Sequence, residues 1–294
     1  VKQLAGYAAY RLASAFFGAL PEPVMRRMGE GLGWLGSFAA PAKVALVRRH
    51  LARVVGEDEA TTGRVRRMFA SYGRYWAEVF WVRPRRIDAI LEHSEVEGEE
   101  HIAAARSAGT GVIVALPHLG NWEAAGPQAS RLGIPVLAAA EALPNPRIVD
   151  WFITTRGRLG IEVVIVGRDR MATQRLIERL RRGGAVALVS DRDLAGHGVE
   201  VEIFGERTTL PAGPVALADR TGAVLLPVGC YFKRHRGHRF VVRPPIVIPP
   251  LPDKDARIAA ATQAFAAELE LLIRQAPEQW HLFQPNWPSD RVSG

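Results

Sequence analysis

"VIVALPHLGNWEAAG", Val112 to Gly126, is the stretch on which the fold reading turns. Five apolar residues, Val112 to Leu116, meet Pro117 and then His118, and Glu123 stands five positions beyond that histidine. A short apolar run closed by a turn signal has the pattern of a buried strand. Gly120 and Asn121 supply a reversal and a helix cap, so the stretch predicts strand, turn and helix in succession. In an α/β sheet, sites gather outside the carboxyl ends of strands, which is where His118 falls.

The same texture continues on both sides. Apolar strand segments are expected at 111–117, 134–140, 161–166, 184–190, 223–231 and 239–247, with helices at 99–107, 121–132, 146–159, 169–182 and 212–221. Short strands alternating with amphipathic helices predict an α/β fold, its central mostly parallel or mixed sheet flanked by helices on both faces. "GVEVEIFGERTTLP" alternates like an exposed strand followed by a turn, and "DARIAAATQAFAAELELLIRQ" reads as a long C-terminal helix. The first ninety residues read as amphipathic helices. In "DEATTGRVRRMFASYGRYWAEVFWV" the residues Val65, Met68, Phe69, Tyr72, Trp76, Val79 and Phe80 form a helical stripe of the kind that ordinarily packs as core. No repeat, low-complexity tract or linker interrupts the chain. A single domain over 1–294 is therefore expected, helical over 1–90 and α/β over 95–290.

The chain has 294 residues, is 48% hydrophobic and 23% charged, and carries a net charge of +8. That is globular composition with a basic balance, which favours an anionic partner. One cysteine, Cys230, excludes an intrachain disulfide and a multi-cysteine metal site, and its apolar setting reads as core. No uninterrupted apolar run reaches the roughly 18–20 residues of a membrane span. "LAGYAAYRLASAFFGALP" comes nearest but is broken by Arg11, which also makes it a poor signal peptide. With Leu4, Tyr7, Ala8, Leu12 and Phe16 at helical spacing, it suits either packing on the domain or lying in a membrane interface. The segment alone favours packing, and the basic balance of the chain favours the membrane.

A formal GxGxxG at Gly31, Gly33 and Gly36 lacks a preceding strand and a following acid, so close helix packing explains it better than a dinucleotide. His-x-x-x-x-Glu is a cheap pattern, and His197 with Glu202 matches it too. His197 lies in a glycine-flanked loop, where a solvated histidine is the default. Five residues apart on a continuous helix, His118 and Glu123 would point about 140° away from each other. A strand-to-helix turn between them would let the carboxylate hold the imidazole as a general base. A histidine that merely caps its turn is the competing reading, and these residues alone balance the two.

A second polar cluster, Asp191, Arg192 and Asp193, follows the strand "AVALV" and reads as a surface ion-pair patch or as a second wall of the same crevice. "KRHRGHR", Lys233 to Arg239, reads as a basic hairpin tip, either solvated or in contact with phosphate or anionic lipid. Nucleic acid is not expected, since no recognised motif or base-stacking platform is present.

Three blocks in order carry a resemblance. "PHLGNWE", then "SDRDLAGHGVEVEIFGERTTLPAGPVALADRTGAVLLPV", then "WHLFQPNW" resemble the bacterial lysophospholipid acyltransferase-like group that includes the lipid A lauroyl/myristoyl acyltransferases. The likeness covers most of residues 40–290. "VRRHLARVVG", "YGRYWAEVFW" and "SDRDL" look most like its actinobacterial branch, the phosphatidylinositol mannoside acyltransferases.

The resemblance implies transfer of a fatty acyl group, usually palmitoyl, from acyl-CoA to a mannose hydroxyl, with His118 as base and Glu123 as its partner. Glu141 and Arg156 fall where the family carries a further acid and arginine, and Asp191, Arg192 and Asp193 match its third polar block. Asn121 and Trp122 are counted with these as substrate-binding residues. Backbone N–H groups around Leu119 to Trp122 are the expected oxyanion donors. Acyl-CoA enters as co-substrate, with no cofactor and no metal. The implied partners are an anionic glycophospholipid and a membrane surface, with peripheral attachment at the cytoplasmic face of the inner membrane. Acylation of a lipid A precursor and non-catalytic lipid binding are the alternatives.

Overall fold

In the computed structural model the described residues are 2–167, 169–193 and 196–291, so Leu194 and Ala195 of the second polar block lie outside them. The helical first part comprises α1 (Lys2–Ala19), α2 (Glu22–Gly36), α3 (Pro41–Val55), α4 (Thr62–Trp81) and α5 (Ile87–Glu92). Then follow β1 (Glu95–Glu97), α6 (Glu99–Ser107), β2 (Val112–Leu116), α7 (Ala125–Arg131), β3 (Val136–Glu141), α8 (Pro146–Gly157) and β4 (Ile161–Val166). The chain continues through α9 (Ala172–Arg181), β5 (Ala185–Val189), β6 (Val199–Ile203), β7 (Glu206–Leu210) and α10 (Gly213–Thr221). It closes with β8 (Val224–Phe232), β9 (His238–Val242) and α11 (Lys254–Gln275).

Seven strands form one sheet in the order β1-β9-β8-β2-β5-β3-β4, parallel except where β8 and β9 pair antiparallel. The pleat assigns alternate residues to opposite faces. Ile113 and Ala115 of β2 pack in a core with Leu176, Val215 and Phe265, from α9, α10 and α11. Val112 and Val114 face the other way, toward Phe80 of α4 and Ile102 of α6. Helices therefore cover both faces, and the continuous apolar strands follow from that double burial. The helical first part shares these cores: Val47, Leu51 and Met68 lie in the same cluster as Ile113.

Three expectations are corrected. The expected exposed strand near residue 200 is one arm of an antiparallel hairpin, β6–β7, whose two-residue turn sets Phe204 and Gly205 at positive φ. Val201 and Ile203 are buried there while Glu200 and Glu202 face solvent. The strand expected over 239–247 stops at Val242; beyond it Arg243 and Ile246 bond Pro227 and Leu225 without a regular ladder. On α1 the buried residues are Ser14, Phe17 and Gly18, with Tyr10 and Ala13 partly buried against the core. Of the stripe read from the sequence, Leu4, Leu12 and Phe16 are at least half exposed, Ala8 is exposed and only Tyr7 is partly buried.

Close helix packing accounts for part of the glycine motif. A Cβ on Gly33 would sit 2.1 Å from the Phe69 carbonyl oxygen of α4, whereas Gly31 and Gly36 face open space. Gly33→Ala is expected to force α2 off α4 and to cost about 1–3 kcal/mol. Gly31→Ala should be neutral or gain up to about 1 kcal/mol from helix propensity. Urea unfolding of the two variants checks the contrast; equal effects would remove the packing explanation.

Candidate active site

The site begins with strand register. β2 and β5 run parallel with Leu116 opposite Val189, and the Ser190 N–H donates to the Leu116 carbonyl at 2.9 Å. The two chains therefore leave the sheet side by side and deliver His118 and Asp191 to one place. The His118 Nδ1 lies 2.6 Å from Asp191 Oδ1, and the His118 backbone N–H donates to Asp191 Oδ2 at 3.0 Å. The Trp280 indole N–H donates to the same Oδ2 at 2.8 Å. Gly120 shapes the exit of this turn at φ +57°, and a Cβ there would lie 2.2 Å from the Cys230 carbonyl oxygen of β8.

Asp191 is 1% exposed and the His118 side chain 18% exposed, so the acid is sealed while the ring reaches the surface. Burial by itself would raise the Asp191 carboxyl, but the charge and hydrogen bonds of His118, with the Trp280 indole, bring it down to about 2. An ionised carboxylate only accepts, so Nδ1 carries the proton of the neutral ring and Nε2 holds the lone pair. Among the described residues no hydrogen-bond partner occupies Nε2. This is the arrangement of a histidine base with an orienting carboxylate.

The carboxylate in that position is Asp191, which corrects the expectation that Glu123 would be the partner of His118. Glu123 is buried, and its carboxylate takes a forked contact from Arg156, with Nε donating at 2.9 Å and Nη2 at 2.5 Å. That pair holds the Arg156 guanidinium in its charged form against the opposing effect of burial. Glu123 lies within a turn of 3₁₀ helix, Trp122–Ala124, and the fork of an arginine from α8 satisfies it better than an imidazole would.

The other expected residues divide. Trp122 meets the His118 ring edge-on at 5.2 Å between centroids and stacks on Tyr75 at 4.4 Å. Asn121 is wholly buried and engaged at both ends: its amide donates to Glu78 and its oxygen accepts the Glu123 N–H. It shapes the turn, which corrects its placing with the substrate-binding residues. Arg192 reaches Glu141 at 3.2 Å, joining the ends of β5 and β3. Asp193 instead accepts from Gly196, Gly198 and Thr209, bracing the loop before the hairpin. The expected run of oxyanion donors also shortens, because the Leu119 and Gly120 N–H groups already donate to Pro117 and Gln279. Among the described residues no group of three or more His, Cys, Asp or Glu is placed to hold a metal ion.

Several supporting residues were not singled out from the sequence. Glu78 is buried on α4 and gathers Arg74, Asn121 and the His238 ring, each at 2.8 Å. Those contacts keep its carboxyl ionised although burial opposes the charge. Its signal was an acid in the apolar stripe, four residues after an arginine. His281 is buried beside the site, its N–H donating to the His118 carbonyl at 2.7 Å and its Nε2 paired with Ser71 Oγ at 2.8 Å. Both Trp280 and His281 stand in the C-terminal block "WHLFQPNW".

The family model for bacterial lipid A biosynthesis acyltransferases matches residues 3–289. The phosphatidylinositol mannoside acyltransferase of Mycolicibacterium smegmatis is 36% identical over 97% of this chain and 91% of its own length. That of Mycobacterium tuberculosis strain H37Rv is 37% identical over 92% of this chain and 85% of its own. The lipid A biosynthesis lauroyltransferase of Escherichia coli K12 is 28% identical over 89% and 84%. A solved 1-acyl-sn-glycerophosphate acyltransferase from Thermotoga maritima aligns at TM-score 0.39 and 15% identity, covering 85% of this chain and 97% of that one. The chain belongs to the bacterial lipid A biosynthesis acyltransferase family and is an acyltransferase.

The buried His281 makes stability depend on pH. Burial, and next the nearby charge of His118, push its pKa from 6.5 down to about 3. The unfolded chain then binds the extra proton first, so this contribution is complete above about pH 6.5 and is lost as pH falls toward 3. Between pH 6.5 and 5 stability should fall by as much as about 1.4 kcal/mol per pH unit through this one group. Urea unfolding across that window should show a flatter dependence in His281→Phe; an unchanged slope would mean that His281 does not remain neutral in the fold.

Proposed function

We propose that this acyltransferase moves a fatty acyl group, palmitoyl, from acyl-CoA to a mannose hydroxyl of a phosphatidylinositol mannoside. The single observation that carries the mechanism is the His118 imidazole anchored through Nδ1 on buried Asp191, with Nε2 free of any partner among the described residues. Similarity to curated phosphatidylinositol mannoside acyltransferases over most of the chain supports the acceptor.

In the proposed reaction Nε2 takes the proton of the acceptor hydroxyl as its oxygen attacks the thioester carbonyl. The ring becomes imidazolium, and the Asp191 carboxylate stabilises that charge. The tetrahedral oxyanion is met by the backbone N–H of Trp122, which is part exposed beside the His118 ring. Collapse breaks the carbon–sulfur bond, and the departing thiolate takes the proton from the imidazolium, leaving an ester and free coenzyme A. Acyl-CoA is the only co-substrate this scheme requires. Arg156, fixed by Glu123, and Arg192, bridged to Glu141, are assigned to positioning the acceptor.

Peripheral attachment at the cytoplasmic face of the inner membrane belongs to the same proposal. Among the described residues no helix is long and apolar enough to cross a membrane. Leu12 and Phe16 of α1, Leu32 and Leu35 of α2, and Phe38 just beyond are all at least half exposed, on a chain of net charge +8. Apolar side chains of that kind beside a basic surface suit the boundary of an anionic bilayer.

Thiol release from palmitoyl-CoA in the presence of mannosylated phosphatidylinositol tests the reading. His118→Ala should abolish transfer, and Asp191→Asn should lower kcat by about 10²–10⁴-fold with the fold retained. Glu123→Gln should raise KM for the acceptor more than it lowers kcat, because it loosens Arg156 and leaves the imidazole in place. An active His118→Ala protein would sink the mechanism. Release only with a lipid A precursor would replace the acceptor, and liposome binding without release from any acceptor would favour a non-catalytic lipid-binding protein.

A further inference from the structure

Away from His118, a cavity of about 490 Å³ opens between α1, the end of α4 and α8. Four arginines line it: Arg11 from α1, Arg83 just past α4, and Arg147 and Arg158 near the two ends of α8. Asp150 is the one acid in the lining, so the walls carry three net positive charges. Among the described residues none of these four guanidinium groups has a carboxylate within 4 Å, although Arg53, Arg156 and Arg257 elsewhere are each paired. Like charges gathered without a counter-ion repel one another, and a bound anion relieves that cost.

The wall is also preorganised. Arg83 donates to the Ser14 carbonyl at 2.8 Å, the Ser14 hydroxyl at 2.7 Å and the Val82 carbonyl at 2.9 Å. Room for it comes from Gly18, where a Cβ would lie 2.7 Å from the guanidinium. Burial and the neighbouring Arg85 and Arg158 lower the pKa of Arg83, as expected of a cation held among cations. Arg147 and Arg158 are exposed and can close on a ligand, while Arg11, also exposed, rests on Tyr7 and donates to its hydroxyl at 3.1 Å. A planar guanidinium matches phosphate oxygens in two directions at once. The volume exceeds what a bare ion needs and suits an organic ring attached to the phosphate, with Trp151 as an aromatic wall.

We propose that this cavity binds the phosphate of an organic phosphate ester, with Arg83 as the fixed anchor and Arg147 and Arg158 as closing arms. The inference rests on the acyltransferase reading only in naming two sources for that phosphate: a phosphoinositide headgroup, or the nucleotide end of coenzyme A. α8 links the cavity to the candidate active site, since Arg156 on the same helix holds Glu123.

Calorimetric titration with inositol 1-phosphate and with adenosine 3′,5′-bisphosphate, at low salt, tests it. Wild type is expected to bind at least one probe, and Arg147→Gln/Arg158→Gln to weaken that binding at least tenfold with an unchanged thermal melt. Arg175→Gln/Arg179→Gln, which removes two charges on α9, should stay within twofold of wild type. Binding of the inositol phosphate assigns the cavity to a lipid headgroup, and binding of the bisphosphate assigns it to coenzyme A. The proposal is overturned if wild type binds neither probe, if the cavity variant binds as wild type does, or if the α9 variant loses as much. His118→Ala should bind the probes normally, so failure of the catalytic scheme and failure of this site are read separately.

Discussion

One buried carboxylate gathers the centre of this molecule. Asp191 accepts from the His118 ring, the His118 backbone and the Trp280 indole, and so ties the end of β2, the end of β5 and the C-terminal segment to a single point. Removing one member of such a buried pair typically costs about 3–5 kcal/mol, because the other is left without compensation. The same contact fixes the imidazole tautomer, so structural integrity and chemical competence rest on the same hydrogen bonds. A surface ion pair would have neither effect.

A second buried acid supports the first from behind. Glu78 on α4 holds Asn121, and Asn121 holds the start of the turn that carries Trp122 and Glu123. The helical first part is therefore more than a cover for the sheet. Through Arg74, Glu78 and Tyr75 it sets the geometry of the loop between β2 and α7. Charge is distributed accordingly. Buried arginines and acids are matched beside His118, and unmatched arginines collect in the cavity beside α1.

Much of the fold was legible because its causes are local. The apolar run 112–116, the proline after it and the glycine–asparagine turn specify strand, reversal and cap within fifteen residues. The six expected strands all exist, although β9 is shorter than read, while β1 and β7 escaped because three or five mixed residues carry little periodic signal. The stripe on α1 was found, but its direction was not: periodicity locates an apolar face without saying what that face meets. His118, Asp191, Glu141 and Arg156 stand out in the sequence, yet the pairing among them does not. Closeness in sequence points to Glu123 as the partner, whereas the acid that reaches the ring lies 73 positions away.

The amino-acid sequence by itself determined the α/β alternation, the position of His118 at a strand's carboxyl end, the basic balance and the family. Those features depend on side-chain periodicity, turn chemistry and residue order, which are all encoded in short stretches. Only the tertiary structure decided that β5 is the strand beside β2, and hence that Asp191 faces His118 while Glu123 is claimed by Arg156. Strand neighbours in a parallel sheet are joined by long crossovers, so the choice of neighbour is a property of how the whole core closes.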